Sequence, residues 1–210
     1  MSTMRPATWT YAEEFVAEPE LMERARQQGE QFGASPVGPG TGPALRAIAA
    51  AAGARSVVEI GSGAGVSGLW LLSGMPSDGI LTTIDINPEH SHAAKRAYAD
   101  AGVAPQRTRT IVGSALVVMA RLADSAYDLV LVDGDKREYP AYVEQALRLL
   151  RRGGTLLIDN MLWHDKVADP AVRDEVTTIL RDLGKQLRDD PDLVTTLLPV
   201  GDGLLMAVKR

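Results

Sequence analysis

The sequence predicts an α/β protein built on an open, mostly parallel sheet with helices on both faces. Three observations carry that reading. Short aliphatic or β-branched runs alternate with longer helical stretches between Ser56 and Asp159, each run closes on a turn or a polar residue, and the last two runs are joined by a linker of hairpin size. Strand and helix in regular alternation leave the strands parallel and place a helix over each crossover. The 210 residues, 45% of them hydrophobic, suffice for one substantial core, so a single domain spanning 1–210 is expected.

The elements follow in order. Residues 8–30 read as a helix, and "GASPVGPGTGP" (33–43), the segment richest in glycine and proline, as a loop. A helix over 43–52, "PALRAIAAAA", leads into the first strand, so 1–52 forms an N-terminal helical region and 53–210 the sheet-bearing core. The runs "SVVEI" (56–60), "ILTTID" (80–85), "RTRTIV" (107–112), "YDLVLV" (127–132) and "GTLLID" (154–159) read as strands. Helices are expected over 65–73, 88–101 behind Asn87-Pro88, 115–123, 139–151 with "RRGG" marking the end, and 170–187. The runs 193–199 and 203–209, joined by Val200-Gly201-Asp202, must be antiparallel because so short a linker cannot cross the sheet.

Composition excludes several classes of function. With no cysteine there is no disulfide framework, no thiolate metal site and no thiol nucleophile, which fits a reducing cytoplasm. The beginning "MSTMRPATWTYAEEF" lacks the layout of a secretory signal, and no apolar run approaches the roughly 20 residues needed to cross a bilayer. A formal net charge of -5 argues against a nucleic-acid partner, since phosphate backbones attract basic faces. A small-molecule partner, with neither nucleic acid nor membrane, is expected.

The glycine loop "VVEIGSGAGVSG" (57–68) raises the question of which nucleotide it serves. Gly63-x-Gly65-x-x-Gly68, with Asp85 twenty positions after Gly65, fits a dinucleotide fingerprint and supports a nicotinamide-dependent oxidoreductase. Glu59, two residues ahead of Gly61, fits poorly beside a pyrophosphate and well beside a ligand bearing positive charge.

In open parallel sheets, ligands bind outside the carboxyl ends of the strands, where strand order reverses. Four of those ends carry acid: Glu59, Asp85, Asp133 with Asp135 and Lys136, and Asp159 with Asn160. Strands joined by one right-handed crossover are usually neighbours, about 4.8 Å apart, which brings Asp133 and Asp159 together. Two such carboxylates share a proton or hold a cation, and with the Asn160 oxygen they suit a hard divalent ion such as Mg²⁺. The alternative is a strand-end acceptor at Asp159 and a turn cap at Asn160. In "DGDK", Lys136 points away from Asp133 and Asp135 unless the chain turns at Gly134; beside a divalent cation it becomes a candidate general base, and otherwise a surface lysine. His90 and His92, two apart on a helix, do not face each other and are not a metal pair.

From Arg55 to Trp163 these residues resemble the class I S-adenosylmethionine-dependent O-methyltransferases, in the metal-dependent group that includes catechol and caffeoyl-coenzyme A O-methyltransferases. "VEIGSGAGVSG", "IDINPE", "LVDGDK" and "IDNMLW" carry the likeness, with "GDGLLMAVK" in keeping. The resemblance implies a Rossmann-like class I methyltransferase fold with a seven-stranded, mostly parallel sheet and an antiparallel C-terminal strand. It implies S-adenosylmethionine as methyl donor: Glu59 and Gly61 along the methionine half, Ser67 on its carboxylate, Asp85 with Ile86 at the ribose, Ser114 and Ala115 flanking the adenine, and Asp135 near the ammonium. It implies Asp133, Asp159 and Asn160 as ligands of Mg²⁺, with Mn²⁺ or Ca²⁺ as alternatives, Lys136 as base, and a homodimer through N-terminal helices bearing Trp9, Tyr11 and Phe15. A donor with an ammonium and a sulfonium, and no phosphate, accounts for Glu59. Gly134 stands where the group commonly has alanine, and the 33–43 segment departs from its Ser/Thr-rich lid. The short connection from Trp163 to Asp174 favours a free catechol or phenol over a coenzyme A thioester, and Trp163 either walls that acceptor or packs in the core. A non-catalytic protein that binds the same donor is the remaining alternative.

Overall fold

The computed structural model describes residues 5–210. Its seven strands lie in the order β3-β2-β1-β4-β5-β7-β6. They are β1 (Ser56–Ile60), β2 (Ile80–Asp85), β3 (Thr108–Val112), β4 (Tyr127–Val132), β5 (Leu150–Ile158), β6 (Leu193–Leu198) and β7 (Leu204–Lys209). The first five pair in parallel, and β7 runs antiparallel to both β5 and β6. Strand order reverses between β1 and β4, the neighbours whose crossovers leave in opposite directions, and this opens the crevice expected to receive a ligand.

Side-chain alternation along the central strands feeds two cores. On β4, Val130 and Val132 face the layer that includes Tyr139, Leu149 and Leu180, whereas Leu129 and Leu131 face the layer built around Leu45, Trp70 and Tyr98. Helices α3 (Thr41–Ala51), α4 (Val66–Gly74) and α5 (Pro88–Asp100) supply the second layer; α7 (Tyr139–Leu149) and α8 (Glu175–Asp189) dominate the first. Asn87 caps α5 by accepting from Glu89 N at 2.9 Å.

Several boundaries differ from expectation for local reasons. The helix expected over 8–30 is two, α1 (Pro6–Glu13) and α2 (Glu20–Gln31). Pro19 is the cause, because its ring pushes the preceding residue away from the α region and it stands extended (ψ 142°) ahead of α2. The helix expected over 170–187 starts at Glu175, where Asp174 accepts from Thr177 N at 3.0 Å and from Thr177 Oγ1 at 2.7 Å. The helix expected over 115–123 stops early, as α6 (Ala115–Met119), where Arg148 takes the Met119 and Leu122 carbonyls. Strand β5 begins before "RRGG": Leu150 pairs with Tyr127, and the register then jumps to Thr155 opposite Leu129, with Gly153 at φ 76° inside the irregularity.

Helix α3 packs on α4 so closely that a Cβ on Gly42 would stand 2.2 Å from Trp70 Nε1. Gly42→Ala is therefore expected to destabilise the fold by about 1–3 kcal/mol through overpacking, read as a lower urea midpoint. An unchanged midpoint would contradict this packing.

Candidate active site

The backbone ladder runs one step past the strand ends. Gly61 N donates to Ile84 O at 2.8 Å, Asp133 N to Ile60 O at 2.9 Å, Asp159 N to Val132 O at 3.1 Å, and Gly113 N to Asp85 O at 2.9 Å. The residues following β1, β3, β4 and β5, with Asp85 at the end of β2, thus share one rim. A Cβ on Gly61, at φ 93°, would stand 2.0 Å from the Asp133 carbonyl oxygen, so only glycine allows the two exits to touch. Gly68 has a similar reason: its Cβ would stand 2.1 Å from Tyr98 Oη. Of the fingerprint glycines, Gly68 and Gly65, whose Cβ would stand 3.0 Å from Ala94 Cα, are thus required by protein neighbours whatever ligand lies above.

Two cavities flank this rim and share Gly61, Asp85 and Asp133. One, of about 240 Å³, is closed by Ala34–Val37 and lined by Gly63, Ser67, His90 and Lys136. The other, of about 330 Å³, holds Ile86, Ser114, Ala115, Asp135, Glu138 and Tyr142. A larger groove of about 540 Å³ between α2 and α5 contains none of the expected site residues.

Glu59 reaches neither cavity. It is 0% exposed, with Ser67 Oγ donating to Oε1 and Thr83 Oγ1 to Oε2, both at 2.6 Å. Since Thr83 spends its proton on Glu59, Ser62 Oγ is the donor in its 2.6 Å contact with Thr83. The carboxylate braces β1 against β2 and α4.

Asp85 accepts Gly63 N at 3.0 Å and Asn87 N at 2.8 Å, which turns its carboxylate under the glycine loop. His90, set aside in sequence as a metal ligand, has its Nδ1 3.4 Å from Asp85 Oδ2 and its Nε2 3.1 Å from Phe32 O. It joins α5 to the segment that closes the smaller cavity. Only its place in the first turn after Asp85 signals this role, because the Phe32 partner is remote in sequence.

The chain does turn after Gly134. Asp135 caps the short 3₁₀ turn Lys136–Glu138 by accepting Arg137 N at 3.0 Å, and this folds Lys136 back until Nζ lies 2.9 Å from Asp133 Oδ1 and 5.1 Å from the Tyr139 ring centre. Asp135, expected near the ammonium, stands on the Ser114 and Ala115 side of the rim, while Ser67 and Lys136 are on the other. Asp133 and Asp159 are ladder neighbours, and Asn160 follows in the left-handed region at φ 61°. Asp159 Oδ1 is buried with no hydrogen-bond partner. Burial, and then Asp133, push the Asp159 carboxyl up to about 7. Among the described residues no three His, Cys, Asp or Glu side chains form a metal-holding group; the possible oxygen set here is two carboxylates and the Asn160 amide. An orphaned buried carboxylate oxygen beside a second carboxylate fits a hard cation.

The profile of the O-methyltransferase family matches residues 12–210. The chain belongs to that family. An O-methyltransferase of Mycolicibacterium smegmatis is 44% identical over 209 residues, covering 100% of both chains. Among solved structures, the Streptomyces achromogenes O-methyltransferase TomG, involved in tomaymycin synthesis and solved with S-adenosylmethionine, aligns with a TM-score of 0.86 at 29% identity over 99% of this chain and 100% of that one. The Bacillus cereus O-methyltransferase solved with S-adenosylhomocysteine has a TM-score of 0.86 at 26% identity, covering 97% and 99%. The Rossmann-like fold of these enzymes is the fold found here, and the oxidoreductase and non-catalytic alternatives give way to a methyltransferase.

In this O-methyltransferase, burial pushes the Glu59 carboxyl up to about 7 from an ordinary 4.5, against the opposing pull of Ser67 and Thr83. A carboxyl held above its unfolded value stabilises the fold in its protonated form. That stabilisation is complete below about pH 4.5 and is lost as pH rises through 7, a change on the order of 3 kcal/mol. Glu59→Gln removes the titration, so the stability of the variant relative to wild type should rise between pH 5 and 8 in urea unfolding. A difference that stays constant with pH would contradict the buried, proton-hungry carboxylate.

Proposed function

We propose that the enzyme transfers the methyl group of S-adenosylmethionine to a hydroxyl of a small catechol-like or phenolic acceptor, with a divalent cation, Mg²⁺ first, held by Asp133, Asp159 and Asn160. The observation that carries this reading is the meeting of Asp133, the unpartnered Asp159 oxygen and the folded-back Lys136 at one rim. The two cavities support a donor lying across Gly61, with its amino-acid half beside Ser67 and its adenine beside Ser114, Ala115 and Ile86, and its ribose at Asp85 between them.

A divalent cation bound at those three oxygens supplies Lewis acidity that lowers the pKa of a chelating phenol. The chain's own residues do the rest. Lys136, 15% exposed and steered by Asp133, in its amine form accepts the acceptor's proton at Nζ. The acceptor oxygen bonds to the methyl carbon as the carbon–sulfur bond breaks, and the sulfonium charge is cancelled by the electron pair left on sulfur. The glycine loop holds the donor beside Ser67, whose proton goes to Glu59 and leaves its oxygen only to accept, and alignment of two bound reactants is worth on the order of 7 to 11 kcal/mol in well-oriented systems.

Asp159→Ala and Asn160→Ala should each abolish transfer to a catechol while S-adenosylhomocysteine affinity, by calorimetry, stays within a few-fold; undiminished turnover in these variants or in excess chelator removes the metal. Lys136→Ala should cost about 10²–10⁴ in kcat with metal retained, and a loss below a few-fold returns Lys136 to a surface role.

The same reading includes a cytoplasmic homodimer. Among the described residues no helix is long and apolar enough to cross a membrane. Helix α1 buries none of its residues, and the Tyr11 and Phe15 rings lie edge to face with centres 5.9 Å apart while 68% and 70% exposed. Light scattering should find a dimer for the wild type and a monomer for Tyr11→Ser with Phe15→Ser; a monomeric wild type discards the assembly.

A further inference from the structure

We propose that Asp202, in the turn between β6 and β7, is a positioning residue for the acceptor: it holds the left-handed turn Trp163–Asp165 in place beside Asp159 and Asn160. The proposal rests on the catechol reading above and adds a residue to it.

The chain leaving β5 has an unusual backbone. Trp163, His164 and Asp165 have φ of 49°, 54° and 66°, three successive side-chain-bearing residues in the left-handed region. Each is disfavoured by contact between Cβ and backbone oxygen, so a run of three persists only where the surroundings enforce it. Asp202 enforces it from beneath. Its Oδ1 accepts His164 N at 2.7 Å and its carbonyl accepts Leu162 N at 2.8 Å. Its other oxygen, Oδ2, is buried without a hydrogen-bond partner, 3.7 Å from His164 Nδ1, so Oδ1 and the carbonyl alone carry the hold on the turn.

From the outer side Arg181 completes the clamp. Its guanidinium donates to the Lys166, Val167, Asp169 and Val172 carbonyls at 3.0, 3.1, 2.8 and 3.0 Å. Asp202 is itself anchored, because the neighbouring Gly201 N donates to Glu13 Oε1 at 2.8 Å. Trp163, partly buried, packs against the layer that includes Tyr139, Leu149 and Leu180, the second of the two roles its sequence position allowed, and its ring centre lies 5.2 Å from that of the exposed His164. Neither Asp202 nor the turn lines the two rim cavities, and the turn begins three residues after Asn160, which the catechol reading places on the acceptor's cation, so the clamp bears on where Asp159 and Asn160 stand.

The test compares Asp202→Ala with Asp202→Asn, whose amide oxygen still accepts the His164 N–H, in the full-length enzyme with Mg²⁺. For Asp202→Ala, the expected result is at least a ten-fold faster amide exchange over residues 162–165 and about a ten-fold higher KM for catechol. S-adenosylhomocysteine affinity should stay within two-fold, which also shows that the variant is folded, and Asp202→Asn should restore both changed readings. An unchanged exchange rate or an unchanged catechol KM in Asp202→Ala overturns the proposal, as does equal failure of the Asn variant. If the wild type methylates no catechol, the acceptor reading has failed, and the exchange comparison still decides whether Asp202 holds the turn.

Discussion

The contact on which the site depends is a backbone one: Asp133 N bonded to Ile60 O, with Gly61 bare of a side chain against the Asp133 carbonyl. It brings the exits of β1 and β4 into touch at the point where strand order reverses. The hydrogen bonds from Gly61 to Ile84 and from Asp159 to Val132 extend the same step to β2 and β5. Side chains from four separate segments are thereby set at one level by the sheet itself, on rigid elements whose cores are packed on both faces. The two rim cavities, the paired carboxylates and the place of Lys136 are all consequences of that level.

Gathering acid at one rim is electrostatically costly, and the molecule divides the cost in two ways. Glu59 is withdrawn into the core and kept by two hydroxyl donors, and its proton affinity is raised by burial. Asp133 is met by Lys136, which leaves Asp159 as the group whose charge is least compensated. A cationic donor would lower this cost upon binding, and so would the divalent ion proposed above.

Most of the sheet was legible in the sequence because buried parallel strands write themselves as short aliphatic runs, and because their ends carry turn residues and acids. The pairing of Asp133 with Asp159 followed from a single crossover between β4 and β5, and the return of Lys136 toward Asp133 was foreshadowed by Gly134. Other features depend on partners distant in the chain. Glu59 was read as facing the ligand, since nothing in the local pattern shows that Ser67 and Thr83 would take both its oxygens. His90 reaching Phe32, Arg148 ending α6 and Asp202 holding His164 are likewise long-range contacts with no periodic signature. The break at Pro19 was written in the sequence but outweighed by the helical composition on either side, and the left-handed turn at Trp163, with His164 and Asp165 as its only local cues, depends on tertiary contacts.

On the function proposed above, acids from separate strand tips form one site for a cation and a methyl donor together. Anomalous diffraction from crystals of the protein grown with Mn²⁺ and S-adenosylhomocysteine tests it most directly. One manganese peak is expected in contact with Asp133, Asp159 and Asn160, with the sulfur in the space bordered by Gly61, Ser67 and Lys136. Manganese bound elsewhere, or the nucleoside seated in the groove between α2 and α5, would contradict it.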